Sequence, residues 1–478
     1  MAGIVSHGGY VPRYRLSSEM IAAAWGERAA PGCRAVANAD EDSLTLATEA
    51  ALDALLMREG GDAQFGSTVD TLIFASTTSP YLEKQTSATI AWSCDLRRDI
   101  RTYDIANSLR AGTQAVLTGL DSIAAGTARQ VVVTSADLRN SAPKSTAETS
   151  FGDGAGALLL GKDKVIAELV SVYSMADEIT DSWRGSTDLF ARSWEERFAQ
   201  TKGYLSVVPE AIRAALAKAK ISPKEIDRVV GNGPDGRALA SAAKAAGLDP
   251  AKVVDHLFGS VGNTGTSAPL LVLSHTLESA SAGERILLFS YGNGADVLLF
   301  EVTPEIERYR QAKSRGVSYY MMRAAPMKSY EQFMKFRNLI STEGARRDPP
   351  SASAVQMWRD RDMIYRLYGM KCKACGALQY PPQRLCYKCR TADQGEPVRF
   401  SDKRSTLFTF TLDYLNADID PPSVMSVINF EGGGRMYCMM TDRDPEKVAI
   451  GMPLEMTFRK IYEAGGFKNY YWKCRPFD

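Results

Sequence analysis

Along the first 300 residues, short strand-like apolar runs alternate with stretches of helical period, the pattern of helices packed on a largely parallel sheet. Thr71-Leu72-Ile73-Phe74-Ala75, Val131-Val132-Val133-Thr134 and Ala157-Leu158-Leu159-Leu160 read as strands. Two stretches follow one plan. The first runs from Gly112-Thr113 through an apolar helix to Gly126, a strand at Gln130–Val133, then the turn Gly152-Asp153-Gly154-Ala155 into Leu158–Leu160. The second runs from Gly265-Thr266-Ser267 through the helix around Leu270–Leu273 to Gly283, a strand at Ile286–Phe289, then Gly292-Asn293-Gly294-Ala295 into Val297–Leu299. Thr71–Ser76 and Arg228–Gly233 are a third matched pair, each a strand ending in small polar residues, where open sheets place ligands. A duplicated α/β unit of about 150 residues per copy accounts for residues 1–305, with halves at about 1–165 and 166–305.

Beyond Pro304 the texture becomes charged and rich in Met and Tyr, and 306–365 reads as a connector with helices, broken at 346–350 by Arg-Arg-Asp-Pro-Pro. Residues 366–478 then alternate with strand period, as in Ser405–Phe410 and Leu454–Phe458, with Gly432-Gly433-Gly434 as a turn. A ribbon followed by a small β-barrel is expected.

The ribbon carries the sharpest chemistry. Cys372-Lys373-Ala374-Cys375 and Cys386-Tyr387-Lys388-Cys389 are two C-x-x-C pairs ten residues apart, a spacing that lets four thiolates converge tetrahedrally. Zinc is the expected ion, with an iron–sulfur centre or rubredoxin-type iron as the minor alternative. Four protein ligands leave no position for water, so the metal is expected to be structural. The remaining cysteines, Cys33, Cys94, Cys438 and Cys474, have no paired spacing and read as free buried thiols.

Charge narrows the partners. The 57 basic and 56 acidic side chains nearly cancel, which disfavours a polyanion, so no nucleic-acid partner is expected. No apolar run reaches the roughly 18 residues of a membrane span, and Met1–His7 lacks a basic head before a greasy stretch. A soluble cytoplasmic protein with no membrane partner is expected. Only three histidines are present, so chemistry based on imidazole has few candidates.

The opening Gly3-Ile4-Val5-Ser6-His7-Gly8-Gly9-Tyr10-Val11-Pro12-Arg13-Tyr14-Arg15-Leu16 resembles that of 3-hydroxy-3-methylglutaryl-CoA synthases of the archaeal type. Glu41–Ala47, Ser79-Pro80-Tyr81, Arg110-Ala111-Gly112-Thr113 and Ser290–Ala295 extend the likeness across 1–305. It implies the thiolase fold, an αβαβα arrangement of two similar halves, and a homodimer. Residues 366–478 resemble the zinc-ribbon and OB-fold proteins that accompany thiolase-like enzymes, here fused.

The resemblance fails at the reactive groups. The family's nucleophilic cysteine aligns with Leu109, with Ser108 one position off; its acid/base glutamate aligns with Thr77 and its histidine with Asn232. What survives is Asn263, an oxyanion-type amide in related condensing enzymes, and Tyr291. Without a thiolate there is no covalent acyl intermediate, whereas polarising a thioester carbonyl needs only donors in a dry pocket. The leading expectation is an acyl-CoA carbon–carbon lyase or synthase acting by aldol or retro-aldol chemistry on a β-hydroxyacyl-CoA, with the CoA ester as substrate. Two alternatives stay open: a synthase-type condensation with an unorthodox residue, and an inactive acyl-CoA-binding scaffold for a partner thiolase. A separate thiolase or hydratase subunit is the further partner considered.

Candidate donors are Asn232 and Asn263; the candidate base is His256, just ahead of the Gly262-Asn263 turn. Tyr291 and Tyr81 serve as acid or base if a neighbouring cation lowers their pKa, or as pocket walls. Asp104 reads as a cap for the helix beginning near Ser108. Arg110 and Arg237 are candidates for CoA phosphates, His275 for packing.

Overall fold

The computed structural model describes residues 2–55, 68–313, 315–343, 351–415 and 418–477. The helix-breaking run at 346–350 lies outside the described residues. The chain forms two compact units, Met1–Ala37 with Asp42–Phe333, and Asn38–Glu41 with Met334–Asp478.

In the first unit the principal elements are β1 (Gly3–Tyr10), α1 (Ser43–Leu55), β2 (Thr71–Ala75), α2 (Thr86–Ser93), β3 (Arg101–Ile105), α3 (Ala111–Ala124), β4 (Val131–Asp137), β5 (Gly154–Gly161), β6 (Ala167–Ala176), α4 (Leu205–Ala219), β7 (Arg228–Gly231), α5 (Gly236–Ala245), α6 (Ala268–Leu277), β8 (Arg285–Tyr291) and β9 (Gly294–Val302). The strands hydrogen-bond in the order β7-β8-β9-β6-β1-β5-β4-β2-β3. The duplication is explicit in this order. β4 is parallel to β2 and antiparallel to β5, as β8 is parallel to β7 and antiparallel to β9.

The copies differ at one turn. Gly292 and Asn293 close a tight hairpin between β8 and β9, with Asn293 at φ 52°. Between β4 and β5 the chain instead makes a long excursion with the short helix Thr146–Ser150, so Gly152–Ala155 is the re-entry into β5 and not a hairpin turn.

The core explains the near-continuous apolar runs. Residues of α3 (Ala111, Ala115, Val116, Leu120) and α6 (Leu270, Leu273, Leu277) form one buried cluster with strand residues of both halves. α6 is buried on almost every side, which a helix in a middle layer requires. It approaches β5 so closely that a Cβ on Gly156 would lie 2.4 Å from the Leu271 nitrogen. α4 and α5 pack on the other face of β7–β9 in a second cluster.

The start of the stretch expected as a connector belongs to this unit. Tyr309, on the helix Glu305–Ala312, donates its hydroxyl to the His7 carbonyl at 3.0 Å, and Lys313 Nζ donates to the same carbonyl at 2.9 Å.

The second unit holds a three-stranded ribbon, Tyr368–Cys372 between Leu378–Gln379 and Gly395–Arg399, and a closed five-stranded barrel of Ser405–Asp413, Ser423–Phe430, Arg435–Met440, Phe467–Pro476 and Pro453–Ala464. Phe400, Phe430, Phe458 and Trp472 are buried in it. Arg459 is also wholly buried, and its charge is met by Asp442 at 2.6 Å and by Glu41. Among the described residues no helix is long and apolar enough to cross a membrane.

Candidate functional site

The strand ends converge on a cavity of about 470 Å³ in the first unit. Leu109, Arg139, Asp181, Asn232, Asn263 and Tyr291 all line it. None of the described lining residues is a cysteine or a histidine.

At the end of β4, Asp137 is fully buried and accepts hydrogen bonds from Ser76 Oγ (3.0 Å), Thr77 N (2.7 Å), Thr77 Oγ1 (2.9 Å) and Thr266 N (2.8 Å). Thr77 therefore ties β2 to β4 and to the loop ahead of α6. Two residues on, the Arg139 guanidinium lies 4.0 Å from the centroid of the Phe151 ring and lines the cavity.

Leu109 lies just ahead of α3, at the cavity wall. Ser108 Oγ accepts from Arg110 N at 3.3 Å and donates to the Gly292 carbonyl of the other half at 3.4 Å, both backbone contacts. Arg110 is spent on the Met175 carbonyl (3.0 Å), the Asn293 carbonyl (3.2 Å) and Asp296 (3.3 Å), so it holds the two halves together where a phosphate contact was expected. Asp104 caps a different helix from the one expected: it accepts from Thr86 N (2.6 Å) and Ser87 N (2.9 Å), closing the N-terminus of α2.

Across the cavity, Asn232 grips the backbone of Tyr291 at two points. Its Nδ2 donates to the Tyr291 carbonyl at 3.1 Å, and its Oδ1 accepts from Tyr291 N at 2.7 Å. Asn232 thus positions the end of β8. Asn263 Nδ2 donates to the Gly233 carbonyl (3.0 Å) and its Oδ1 accepts from Gly265 N (2.9 Å), leaving one N–H of a half-buried amide for the cavity.

Tyr291 is the unusual group. Its side chain is buried, yet its hydroxyl has no hydrogen-bond partner of ordinary geometry. Burial, then the carboxylates of Asp181 and Asp177, push its pKa above the usual phenol range, so it stays protonated at neutral pH. A neighbouring cation would lower that pKa; the structure supplies carboxylates, which act in the opposite sense. The turn beside it is a π-helix, Ala199–Tyr204, in which a Cβ on Gly203 would stand 2.3 Å from the Tyr291 hydroxyl. Tyr204 packs edge-on against Tyr291, ring centroids 5.4 Å apart, and donates its hydroxyl to the Asn232 carbonyl at 2.9 Å.

The other candidates lie elsewhere. His256 lines a separate small cavity; its Nε2 accepts from Gly231 N at 3.0 Å and its Nδ1 lies 2.6 Å from the Val254 carbonyl. Those contacts fix a neutral ring with Nδ1 protonated, and burial lowers its pKa to about 4. Tyr81 stands on the loop after β2 with Lys84 Nζ 5.5 Å from its ring centroid. Arg237 is exposed in the first turn of α5. His275 pairs with Glu278 at 3.4 Å, a polar contact where packing was expected.

Arg139, Asp181 and Gly203 stand outside the candidates that the sequence offers. A charged pair, Asp137 and Arg139, at the end of an apolar strand was a readable signal for the first. Asp181 and Gly203 lie in an irregular stretch whose pattern carries none.

In the second unit, the sulfurs of Cys372, Cys375, Cys386 and Cys389 all lie within 4.8 Å of one another, with Cys372–Cys389 and Cys375–Cys386 at 3.6 Å. Tetrahedral Zn–S bonds of about 2.3 Å require S···S edges of about 3.8 Å, so the donor set fits zinc. Each pair sits on a matching knuckle: Gly376 N donates to the Cys372 carbonyl (2.8 Å) and Arg390 N to the Cys386 carbonyl (3.0 Å).

Comparison with known proteins agrees with both halves of this description. The pattern of the 3-oxoacyl-[acyl-carrier-protein] synthase III C-terminal domain matches residues 216–298, that of the ChsH2 rubredoxin-like zinc ribbon 359–393, and that of the ChsH2 C-terminal OB-fold 398–459. Hydroxymethylglutaryl-CoA synthase of Methanopyrus kandleri is 31% identical over 319 residues, covering 65% of this chain and 90% of that protein. The Methanocaldococcus jannaschii synthase is 31% identical over 350 residues, 71% of this chain and 99% of that protein. Among solved structures, an HMG-CoA synthase complexed with CoA superposes with a TM-score of 0.63 at 20% identity, over 74% of this chain and 93% of that one. The 3-oxoacyl-[acyl-carrier-protein] synthase III of Aquifex aeolicus gives 0.55 at 20%, over 63% and 100%. These structural likenesses show the thiolase-like fold.

Proposed function

The chain belongs to the hydroxymethylglutaryl-CoA synthase family, with a zinc ribbon and an OB-fold following in the same polypeptide, and from that premise we propose aldol or retro-aldol chemistry on a β-hydroxyacyl-CoA. The enzyme makes or breaks the bond between the α- and β-carbons and forms no covalent acyl intermediate. One observation carries this reading: the cavity wall at the head of α3 is Leu109, and no described lining residue is a cysteine, while donors remain around it. Without a thiolate, acyl transfer to the protein has no nucleophile of ordinary strength. Aldol cleavage needs none.

In the direction of cleavage, the thioester oxygen gains charge as the enolate forms. Asn263, through its uncommitted N–H, and the Arg139 guanidinium stabilise that charge, in a site where fixed donors are worth more than in water. The Tyr291 hydroxyl, protonated at neutral pH, lines the same cavity as a proton donor. Zinc on the four cysteines is structural, because they complete its tetrahedron; it holds the ribbon and takes no part in the reaction.

Incubating the full-length protein with a panel of β-hydroxyacyl-CoA esters and trapping released aldehydes or ketones is expected to show turnover, with no acyl adduct by intact mass. An adduct surviving denaturation would establish the condensation route instead. No turnover on any ester would leave the scaffold reading.

A further inference from the structure

Tyr291 presents a buried hydroxyl with no ordinary hydrogen-bond partner, a rare condition for a buried donor. Asp181 is half-buried and lines the same cavity, and the space a Cβ on Gly203 would take adjoins both the Tyr291 hydroxyl and Ile179, two residues ahead of Asp181. Asp181 is not loosely placed. Its segment is anchored by Asn293 Nδ2, which donates to the Ile179 carbonyl at 3.2 Å, and its Oδ1 accepts from Ser182 N at 2.5 Å. Ser182–Trp183 then pairs with Arg192–Ser193 as a small ribbon, and the chain returns through the π-turn that brings Gly203 against the same hydroxyl. The excursion between β6 and α4 therefore contributes a carboxylate from one arm and a close-fitting backbone from the other.

We infer that Asp181 and Tyr291 act as one proton relay, in which the Asp181 carboxylate is the general base for the β-hydroxyl and Tyr291 is the general acid for the α-carbon. This rests on the aldol reading above and supplies the base it lacks, since His256 has both ring nitrogens committed to the backbone.

The proton balance closes. Asp181 removes the hydroxyl proton; the oxygen's electron pair forms the carbonyl of the departing aldehyde or ketone; the bond between the α- and β-carbons breaks and its pair passes into the thioester as an enolate. Tyr291 gives its proton to the α-carbon, and the phenolate recovers one from the Asp181 carboxylic acid. In net, the hydroxyl loses one proton and the α-carbon gains one, the hydroxyl's proton ending on Tyr291; both side chains return to their starting states, and no further reagent is consumed. The reverse sequence makes the bond.

The test uses the full-length protein and the β-hydroxyacyl-CoA ester it turns over fastest. Asp181→Asn and Tyr291→Phe are each expected to lower kcat at least about tenfold, within the usual range for general acid–base groups, with KM within about threefold of wild type. The double variant should fall no further than about threefold below the slower single, because the two act as a unit. Asp181→Glu, which keeps a carboxylate, should recover part of the loss. Melting temperature and affinity for free CoA report folding in each variant. The relay is overturned if Asp181→Asn keeps kcat within tenfold of wild type, if the loss falls in KM, if the single losses multiply in the double variant, or if Asp181→Glu recovers nothing. Those results leave the aldol reading standing wherever wild type is active. Wild-type protein inactive on every ester removes both.

Discussion

His256 shows how a residue with the right intrinsic chemistry is withdrawn from it. An imidazole just ahead of the Gly262-Asn263 turn reads as a base, because its ordinary pKa lies near neutrality. Two backbone groups decide otherwise: the Gly231 N–H needs an unprotonated Nε2, and burial removes the water that would solvate a cation. Neither was legible, since both depend on long-range packing of β7. The consequence is a pH dependence of stability. The folded pKa is depressed from 6.5 to about 4, so above pH 6.5 the contribution is fully present. It is lost as pH falls from 6.5 towards 4, where the unfolded chain binds a proton that the folded chain refuses. At 1.36 kcal/mol per unit, the shift is worth about 3 kcal/mol. His256→Gln, which keeps an acceptor, should lose less stability than wild type across that window in denaturant titrations at stepped pH. Parallel curves for the two proteins would refute the assignment. Asn232 makes the complementary point: its alignment with the family's histidine was readable, but its two-point grip on Tyr291 was not.

Regular elements were the most legible part of the chain. Thr71–Ala75 is a strand with the limits the pattern gives, and the strand in Arg228–Gly233 ends two residues earlier, at Gly231, because apolar runs bounded by polar strand ends mark them locally. The excursion between β6 and α4 was not legible. It has no sustained period, and its π-turn depends on what it packs against. That dependence makes an element-scale prediction. Gly203→Ala places a methyl 2.3 Å from the Tyr291 hydroxyl, a contact that real structures do not tolerate. Overpacking of this kind costs typically 1–3 kcal/mol. If the oxygen is the clashing atom, Tyr291→Phe should relieve most of the penalty, so the double variant should be more stable than Gly203→Ala alone. The comparison needs only unfolding curves of the two singles and the double. Additive effects would show that the turn is strained for another reason.

At the scale of the whole molecule, the two compact units draw their stability from different sources. The first buries an apolar middle layer between the halves of a duplicated sheet, and its residues spread over some 330 positions. The second has a barrel core of aromatic, aliphatic and methionine side chains, and a small ribbon that carries the four-cysteine cluster. Its four ligands were fully legible, because C-x-x-C pairs are local, whereas the closure of the barrel was legible only as alternation. Ribbons of this size bury too little to fold unaided, so zinc-binding free energy becomes folding free energy. Apparent values of about 10–16 kcal/mol for such sites match or exceed the about 5–15 kcal/mol of a whole domain, so losing the ion should not be a minor perturbation. Cys386→Ser removes a buried ligand and should abolish stoichiometric zinc by metal analysis. Limited proteolysis followed by mass measurement should then digest the chain beyond about residue 334 while a fragment ending near Phe333 persists. Full zinc content in the variant would refute the four-thiolate centre; loss of both units together would show that the first depends on the second.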